Sequence, residues 1–320
     1  MTDYLISVRN IRSGEFGSEP GTTRFLRLPS NRKMHKPSHM ISRAEWVSAV
    51  MAAARSGTDP VTGDACGDIL VFVHGYNNDP PAVLRRHRLL KKNLAAAGFE
   101  GTVVSFDWPS NNIALNYLED RSDARKTSIK LVDDCIRLFT TTQMRGCSMN
   151  VHLLAHSTGA YVVREGFDDA DDRRHIAQSN WTASQVVFIA ADISAKSMGS
   201  DDSKSSSLYR HSVRLTNYHN PYDSVLKLSN IKRIGVAPRA GRIGLPTQVP
   251  QKAVCVDCGP HFQRLKKDPG SDGAWDHAWH FYDKGFARDL ACTLRGDIDR
   301  HYIPTRRTDD RGRLQLAPED

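Results

Sequence analysis

Long apolar runs are missing from this chain: none approaches the length needed to cross a bilayer. The N-terminus has no basic start followed by an apolar core and a small-residue cleavage site, so no secretory leader is expected. Cysteine is scarce too. Six in 320 residues, unevenly spaced, do not read as a disulfide framework and fit a reducing compartment. The expectation is a soluble cytoplasmic protein.

Basic residues outnumber acidic ones, giving a net charge of +8, but no nucleic-acid-binding motif accompanies them. Arg85-Arg86-His87-Arg88 with Lys91-Lys92 reads as the solvated face of a helix whose other face carries Val83, Leu90, Leu94 and Ala97. Lys232, Arg233, Arg239 and Arg242 stud a Gly/Pro-rich loop without interleaved aromatics. Specific nucleic-acid binding is therefore not expected. With 39% hydrophobic and 25% charged residues, the chain can bury one sizeable core.

The most informative stretch is Val151-His152-Leu153-Leu154-Ala155-His156-Ser157-Thr158-Gly159-Ala160-Tyr161-Val162-Val163, where a short apolar strand passes through one serine straight into a helical pattern. That is the layout of a nucleophile elbow. So tight a turn strains the serine backbone and demands small residues two before and two after it, which Ala155 and Gly159 supply, although the commoner pattern has glycine at the first of these. The geometry lifts Ser157 Oγ into solvent above the sheet and leaves the Thr158 N–H at a helix N-terminus, where it can meet an oxyanion. Upstream, the apolar run Ile69 to Val73, as expected of a parallel strand buried on both faces, feeds into His74-Gly75-Tyr76-Asn77-Asn78-Asp79, where glycine lets the backbone approach a substrate.

Short apolar strands alternate with helical segments along the rest of the chain. Strands are expected at Tyr4–Val8, Thr23–Leu28, Ile69–Val73, Thr102–Asp107, Val186–Ala191, Val213–Asn217 and Ala253–Asp257, and helices at Ser42–Ala54, Ala82–Ala97, Leu118–Thr141, from the elbow to about Phe167, and at Lys284–Leu294. This pattern predicts an α/β fold: a mostly parallel, doubly wound sheet with helices on both faces. Residues 1–64 read as strands and a helix packed on the core, 65–300 as the catalytic domain, and 301–320 as a polar tail, loosely attached or disordered.

Phe106-Asp107-Trp108-Pro109-Ser110, then Tyr117, Asp120, Ala124 and Ser128, then the Ala-His-Ser elbow resemble an uncharacterised bacterial branch of the α/β-hydrolase superfamily, domain of unknown function nine hundred. The resemblance covers about residues 65 to 292 and continues through Ile189-Ala190-Ala191-Asp192-Ile193, Asn220-Pro221-Tyr222-Asp223, Arg242-Ile243-Gly244 and His277-Ala278-Trp279. It implies an α/β-hydrolase fold and the superfamily's chemistry, with no substrate attached. His74-Gly75 resembles the superfamily's oxyanion loop, which makes Tyr76 the second N–H donor beside Thr158.

A serine nucleophile needs a base within reach of Oγ and an acid to orient that base, in the chain order acid then histidine. Asp223, in the loop after the strand at Val213–Asn217, occupies the position where the superfamily places the acid; Asp192, ending the preceding strand, is the alternative. In Trp275-Asp276-His277-Ala278-Trp279-His280, His277 matches the branch's pattern, and His280 is the alternative base. The expected activity is cleavage of a carboxylic ester by Ser157, His277 and Asp223 through an acyl-enzyme. A thioesterase, amidase or acyltransferase would use the same residues, and a non-catalytic binding protein would keep only the fold.

Cys255-Val256-Asp257-Cys258 with His261 offers too few ligands for a structural zinc site, and Cys255 is expected in a buried apolar role; no metal and no cofactor are expected. The segment Ser194 to Ser212 is poor in apolar residues in its first part, so as a lid it would suit a small, soluble acyl substrate. The other candidate lid, Asn230 to Gln251, carries Ile231, Ile234, Val236, Ile243 and Leu245.

Overall fold

The computed structural model describes residues 2–110, 117–142, 147–231, 237–271 and 273–318. Its strands are β1 (Thr2–Arg12), β2 (Glu15–Pro29), β3 (Met40–Ile41), β4 (Arg55–Thr58), β5 (Ala65–Val73), β6 (Thr102–Asp107), β7 (Cys147–His156), β8 (Ala183–Ile189), β9 (Ser212–His219), β10 (Ala253–Asp257), β11 (Arg306–Thr308) and β12 (Leu314–Leu316). They join in a 12-stranded sheet, in the order β11-β12-β10-β9-β8-β7-β5-β6-β1-β2-β3, with β4 paired to β5. The run from β12 through to β1 is parallel, and antiparallel pairs close both edges.

Period-two alternation divides the core between the two faces of this sheet. Ile69, Val71 and Val73 of β5 join Leu153, Ala155, Val186 and Phe188 in one apolar cluster, completed by Trp46 and Val50 of helix Arg43–Ala54 and by Val162 and Phe167 of helix Gly159–Asp171. Leu70 and Phe72 join Leu154, Val187 and Ile189 in the other, covered by Leu90 and Leu94 of helix Pro80–Ala96 and by Phe286 and Leu290 of helix Lys284–Arg295. The sheet is therefore doubly wound, as its β-α alternation predicts.

The first strands belong to the same sheet. Tyr4 to Ser7 pair in parallel with Val104 to Asp107, and β1 turns into β2 through Ser13 and Gly14, both at positive φ (50° and 78°), as a two-residue hairpin turn needs. The basic run on helix Pro80–Ala96 is more than a solvated face. Arg88 Nε donates to Asp3 Oδ2 at 2.7 Å, and Lys91 Nζ reaches Asp3 Oδ1 at 3.3 Å, so these charges fasten β1 to the helix. Lys232 and Arg233 lie outside the described residues.

The C-terminal residues differ most from the sequence reading. Instead of trailing loosely, β12 adds to β10 in parallel, with Leu314 and Leu316 in the core. Arg306 is buried and donates to Asp289 at 2.6 Å, while Thr305 Oγ1 and Tyr218 Oη donate to the same carboxylate at 2.6 and 2.5 Å. A polar composition hid this anchor because its charge partner lies on the preceding helix Lys284–Arg295 and is met only when the chain folds back.

Candidate active site

Strand β7 ends at His156, and Ser157 takes φ = 55°, a left-handed conformation that costs a non-glycine residue strain. Neighbouring backbone holds it there: the Ser157 N–H donates to Ile189 O at 3.1 Å, and Ser157 O accepts from the Asp192 and Ala160 amides at 3.0 and 3.1 Å. Helix Gly159–Asp171 begins two residues on. At Gly159 a Cβ would lie 2.4 Å from Val73 O and 2.7 Å from His74 O, so only glycine lets the helix start this close to β5.

Gly75 fulfils the same need from the other side. A Cβ there would come within 2.7 Å of Ser157 Cβ and 2.9 Å of His156 O, so the loop 74–79 lies directly against the elbow. Asn78 fixes this loop by donating Nδ2–H to Gly75 O at 2.9 Å and to Tyr76 O at 2.8 Å. His74 Nδ1 also donates to Gly75 O, at 2.9 Å, while its Nε2 accepts the Trp108 N–H at 3.2 Å and its ring stacks on Trp108. In a trans peptide C=O and N–H point opposite ways, so with Gly75 C=O turned toward Asn78 the Tyr76 N–H points away from it.

Behind the loop lies a buried polar network that the sequence did not disclose. Arg9 of β1 donates Nη2–H to Asn78 O at 2.7 Å and Nε–H to Asp107 Oδ1 at 2.8 Å. Asp107 also accepts from Ser7 Oγ at 2.8 Å and lies 2.9 Å from His35 Nε2. Burial alone would raise the Asp107 carboxyl, but the Arg9 guanidinium and then His35 hold it well below the usual carboxylate range. Burial, its largest influence, lowers His74 and keeps that imidazole neutral.

His277 Nδ1 lies 2.7 Å from Asp223 Oδ2, and Asp223 Oδ1 accepts the Leu226 N–H at 2.9 Å. The two segments are tied together twice more: Asn220 Nδ2 donates to Asp276 O at 3.1 Å, and the Ser224 N–H donates to Asp276 Oδ2 at 2.7 Å. His277 is further held by His156, whose Nε2–H donates to His277 O at 3.0 Å. Burial, and then the proximity of His277, keep His156 well below its ordinary pKa and therefore neutral.

Ser157 and His277 line one cleft of about 600 Å³, walled by Tyr76 to Asp79, Pro81, Ala82, Arg85, Arg86, Val225, Gly273 and Ala274. Ser157 does not stand in open solvent above the sheet. It is 6% exposed, because the start of helix Pro80–Ala96 and the segment before His277 rise around it. Arg85 and Arg86, read from the sequence as solvated, belong to this wall, since helical periodicity cannot show what stands above a helix N-terminus.

The profile of the family described as alpha/beta hydrolase of unknown function (DUF900) matches residues 53–277. The chain belongs to this family. No curated protein matches the α/β hydrolase. Among solved structures it is similar to a Trichoderma reesei cutinase in complex with a phosphonate inhibitor, with 13% identity over 79% of this chain and 84% of the other and a TM-score of 0.31. It is similar to an inhibited esterase B from Lactobacillus rhamnosis, with 10% identity over 92% and 87% and a TM-score of 0.41. A putative cell surface hydrolase from Lactobacillus plantarum is similar at 13% identity over 76% and 94%, with a TM-score of 0.37.

The alternative acid and base of the α/β hydrolase do not line this cleft. Asp192, whose backbone amide donates to Ser157 O, forms an ion pair with Arg239, Oδ1 to Nε at 3.0 Å. His280 is buried, stacked on Trp279 at 4.1 Å and edge-on to Phe286 at 5.1 Å. Burial keeps it well below its ordinary pKa.

Among the described residues no group of three or more His, Cys, Asp or Glu is placed to hold a metal ion. Cys258 lies in the apolar core with Val254 and Val256, and His261 pairs with Asp283 at 2.9 Å. Cys255, expected in an apolar role, instead faces His219 at 3.3 Å, because alternation along β10 turns it away from Val254 and Val256. Neither candidate lid lines the cleft within the described residues. In the first, Met198, Leu208 and Tyr209 are buried in the core; in the second, Ile234 and Val236 lie outside the described residues. Among the described residues no helix is long and apolar enough to cross a membrane.

Proposed function

We propose that this hydrolase cleaves a carboxylic ester or closely related acyl bond, with Ser157 as nucleophile, His277 as base and Asp223 as the acid that orients it. The observation that carries this reading is the 2.7 Å contact between His277 Nδ1 and Asp223 Oδ2 at the wall of a cleft that also holds a serine at φ = 55°. With Nδ1 engaged by a carboxylate, Nε2 is the nitrogen that takes the Ser157 proton as Oγ attacks the acyl carbonyl. The amides of Tyr76 and Thr158 receive the oxyanion, Tyr76 turned by the Asn78 clamp on Gly75 O and Thr158 at the start of helix Gly159–Asp171. The tetrahedral adduct collapses, the leaving alcohol takes the proton from Nε2, and water activated by the same imidazole releases the acid.

Asp192 and His280 are assigned no catalytic role, being committed to Arg239 and to aromatic packing. The charged Arg85 and Arg86 on the wall of the cleft favour a small, soluble acyl substrate over an emulsified lipid. The free state of Cys66, Cys135, Cys255, Cys258 and Cys292 supports a cytoplasmic setting. Rates on p-nitrophenyl esters of short and long acyl chains, with and without an oil interface, test the substrate class. Short chains are expected to turn over fastest with no gain from the interface; preference for long chains with interfacial activation would overturn it.

A further inference from the structure

Cys255 and Asp257 lie on one face of β10, paired in register with Asn217 and His219 of β9. That register surrounds the Cys255 sulfur with nitrogen: Asn217 Nδ2 and the Leu245 N–H donate to it at 3.5 and 3.3 Å, and His219 Nδ1 lies 3.3 Å away. The loop amide reaches the sulfur because the residue before it is Gly244, at φ = 88°, where a Cβ would sit only 3.0 Å from Sγ. On its far side, His219 Nε2 lies 3.8 Å from Asp257 Oδ1. Two N–H donors on one sulfur, with an imidazole in reach of its proton and a carboxylate behind that imidazole, are the surroundings of a thiolate–imidazolium pair.

Burial alone would raise the Cys255 thiol and lower the His219 imidazole, yet their attraction reverses both, holding the thiol below and the imidazole above their ordinary values. Cys135 and Cys258, buried without such partners, are pushed the other way. Cys255 and His219 are largely but not fully buried, the His219 side chain being 14% exposed, and neither lines the cleft of Ser157.

We propose that Cys255, paired with His219, is a reactive thiolate and a site of modification by small electrophiles, hydroperoxides in particular. The sulfur attacks the terminal peroxide oxygen, so that an S–O bond forms as the O–O bond breaks. Sulfur is oxidised by two electrons to the sulfenic acid, and the peroxide is reduced to water or an alcohol, which takes its proton from the His219 imidazolium.

The test uses the intact folded protein and limiting iodoacetamide between pH 6 and pH 9, with peptide mapping of each cysteine. An ordinary thiol alkylates about tenfold faster per pH unit in the lower part of this range, whereas Cys255 is expected to change less than about threefold from pH 6 to pH 8 and to outpace Cys66 and Cys292 at pH 6. H219Q is expected to slow Cys255 at pH 6 by at least roughly tenfold, with the gap closing toward pH 9. Hydrogen peroxide followed by dimedone should tag Cys255 in the unaltered protein. A tenfold rise per pH unit at Cys255 in the unaltered protein would overturn the proposal, as would no labelling of Cys255 in the folded state. Because the pH profile is read without any substitution, a poorly folding variant does not remove the test.

Discussion

His156, immediately before the serine, donates Nε2–H to the backbone carbonyl of His277 at 3.0 Å, so the elbow itself carries the peptide of the residue opposite. A carbonyl only accepts, so His156 has its proton on Nε2 and a lone pair on Nδ1, a buried atom with no hydrogen-bond partner among the described residues. His156 is thus a positioning residue for His277. Its replacement by phenylalanine, similar in size but without the donor, is expected to lower kcat by roughly ten- to a hundredfold, the scale of a small misplacement of a reacting group. Steady-state kinetics beside a thermal melt checks this; a fall in melting temperature with kcat unchanged would restrict His156 to packing.

H277A and D223N are each expected to lower kcat/KM by about four orders of magnitude or more. D192N and H280A should leave kcat within about tenfold while costing stability, because one breaks a buried ion pair and the other empties a space between Trp279 and Phe286. Kinetics at a temperature well below each variant's melt separates the two effects. A large catalytic loss in D192N or H280A would move the assignment.

Stability should fall on mild acidification. His74, His87, His156 and His280 are all held below their ordinary pKa, first of all by burial. Above the unfolded value near 6.5 both states are neutral and these residues contribute nothing; below it the unfolded chain takes up protons that the folded chain refuses, at up to about 1.4 kcal/mol per pH unit for each histidine. His219, held above its ordinary value, works the other way. Urea unfolding at pH 7.5, 6.5 and 5.5 should show the loss between the last two, reduced in H280F. Equal stability at all three would contradict the burial of neutral imidazoles.

The C-terminal strands are expected to be structural. R306M leaves the fully buried Asp289 without its cation, for a loss of about 3–5 kcal/mol in denaturant unfolding. A loss below about 1 kcal/mol would mean that the last residues are dispensable.

Much of the candidate site could be proposed from the sequence because its constraints are local. The elbow requires small residues at fixed offsets from Ser157, β5 is a continuous apolar run, and Asp223 and His277 come in the chain order the proposed triad needs. What escaped notice depends on distant partners. Arg9 reaches Asn78 and Asp107 only once β1 lies beside β6, and Arg306 finds Asp289 only once the last strands fold back against helix Lys284–Arg295. Cys255 and Cys258 look like a ligand pair in one dimension, but strand alternation sends them to opposite faces.

The most direct test of the central claim is labelling of the intact protein with a fluorophosphonate, followed by peptide mapping. The account predicts a single adduct on Ser157, lost in S157A and strongly slowed in H277A, with S157A keeping the melting profile of the unaltered protein. An adduct on another residue, or none at all in the folded protein, would contradict it.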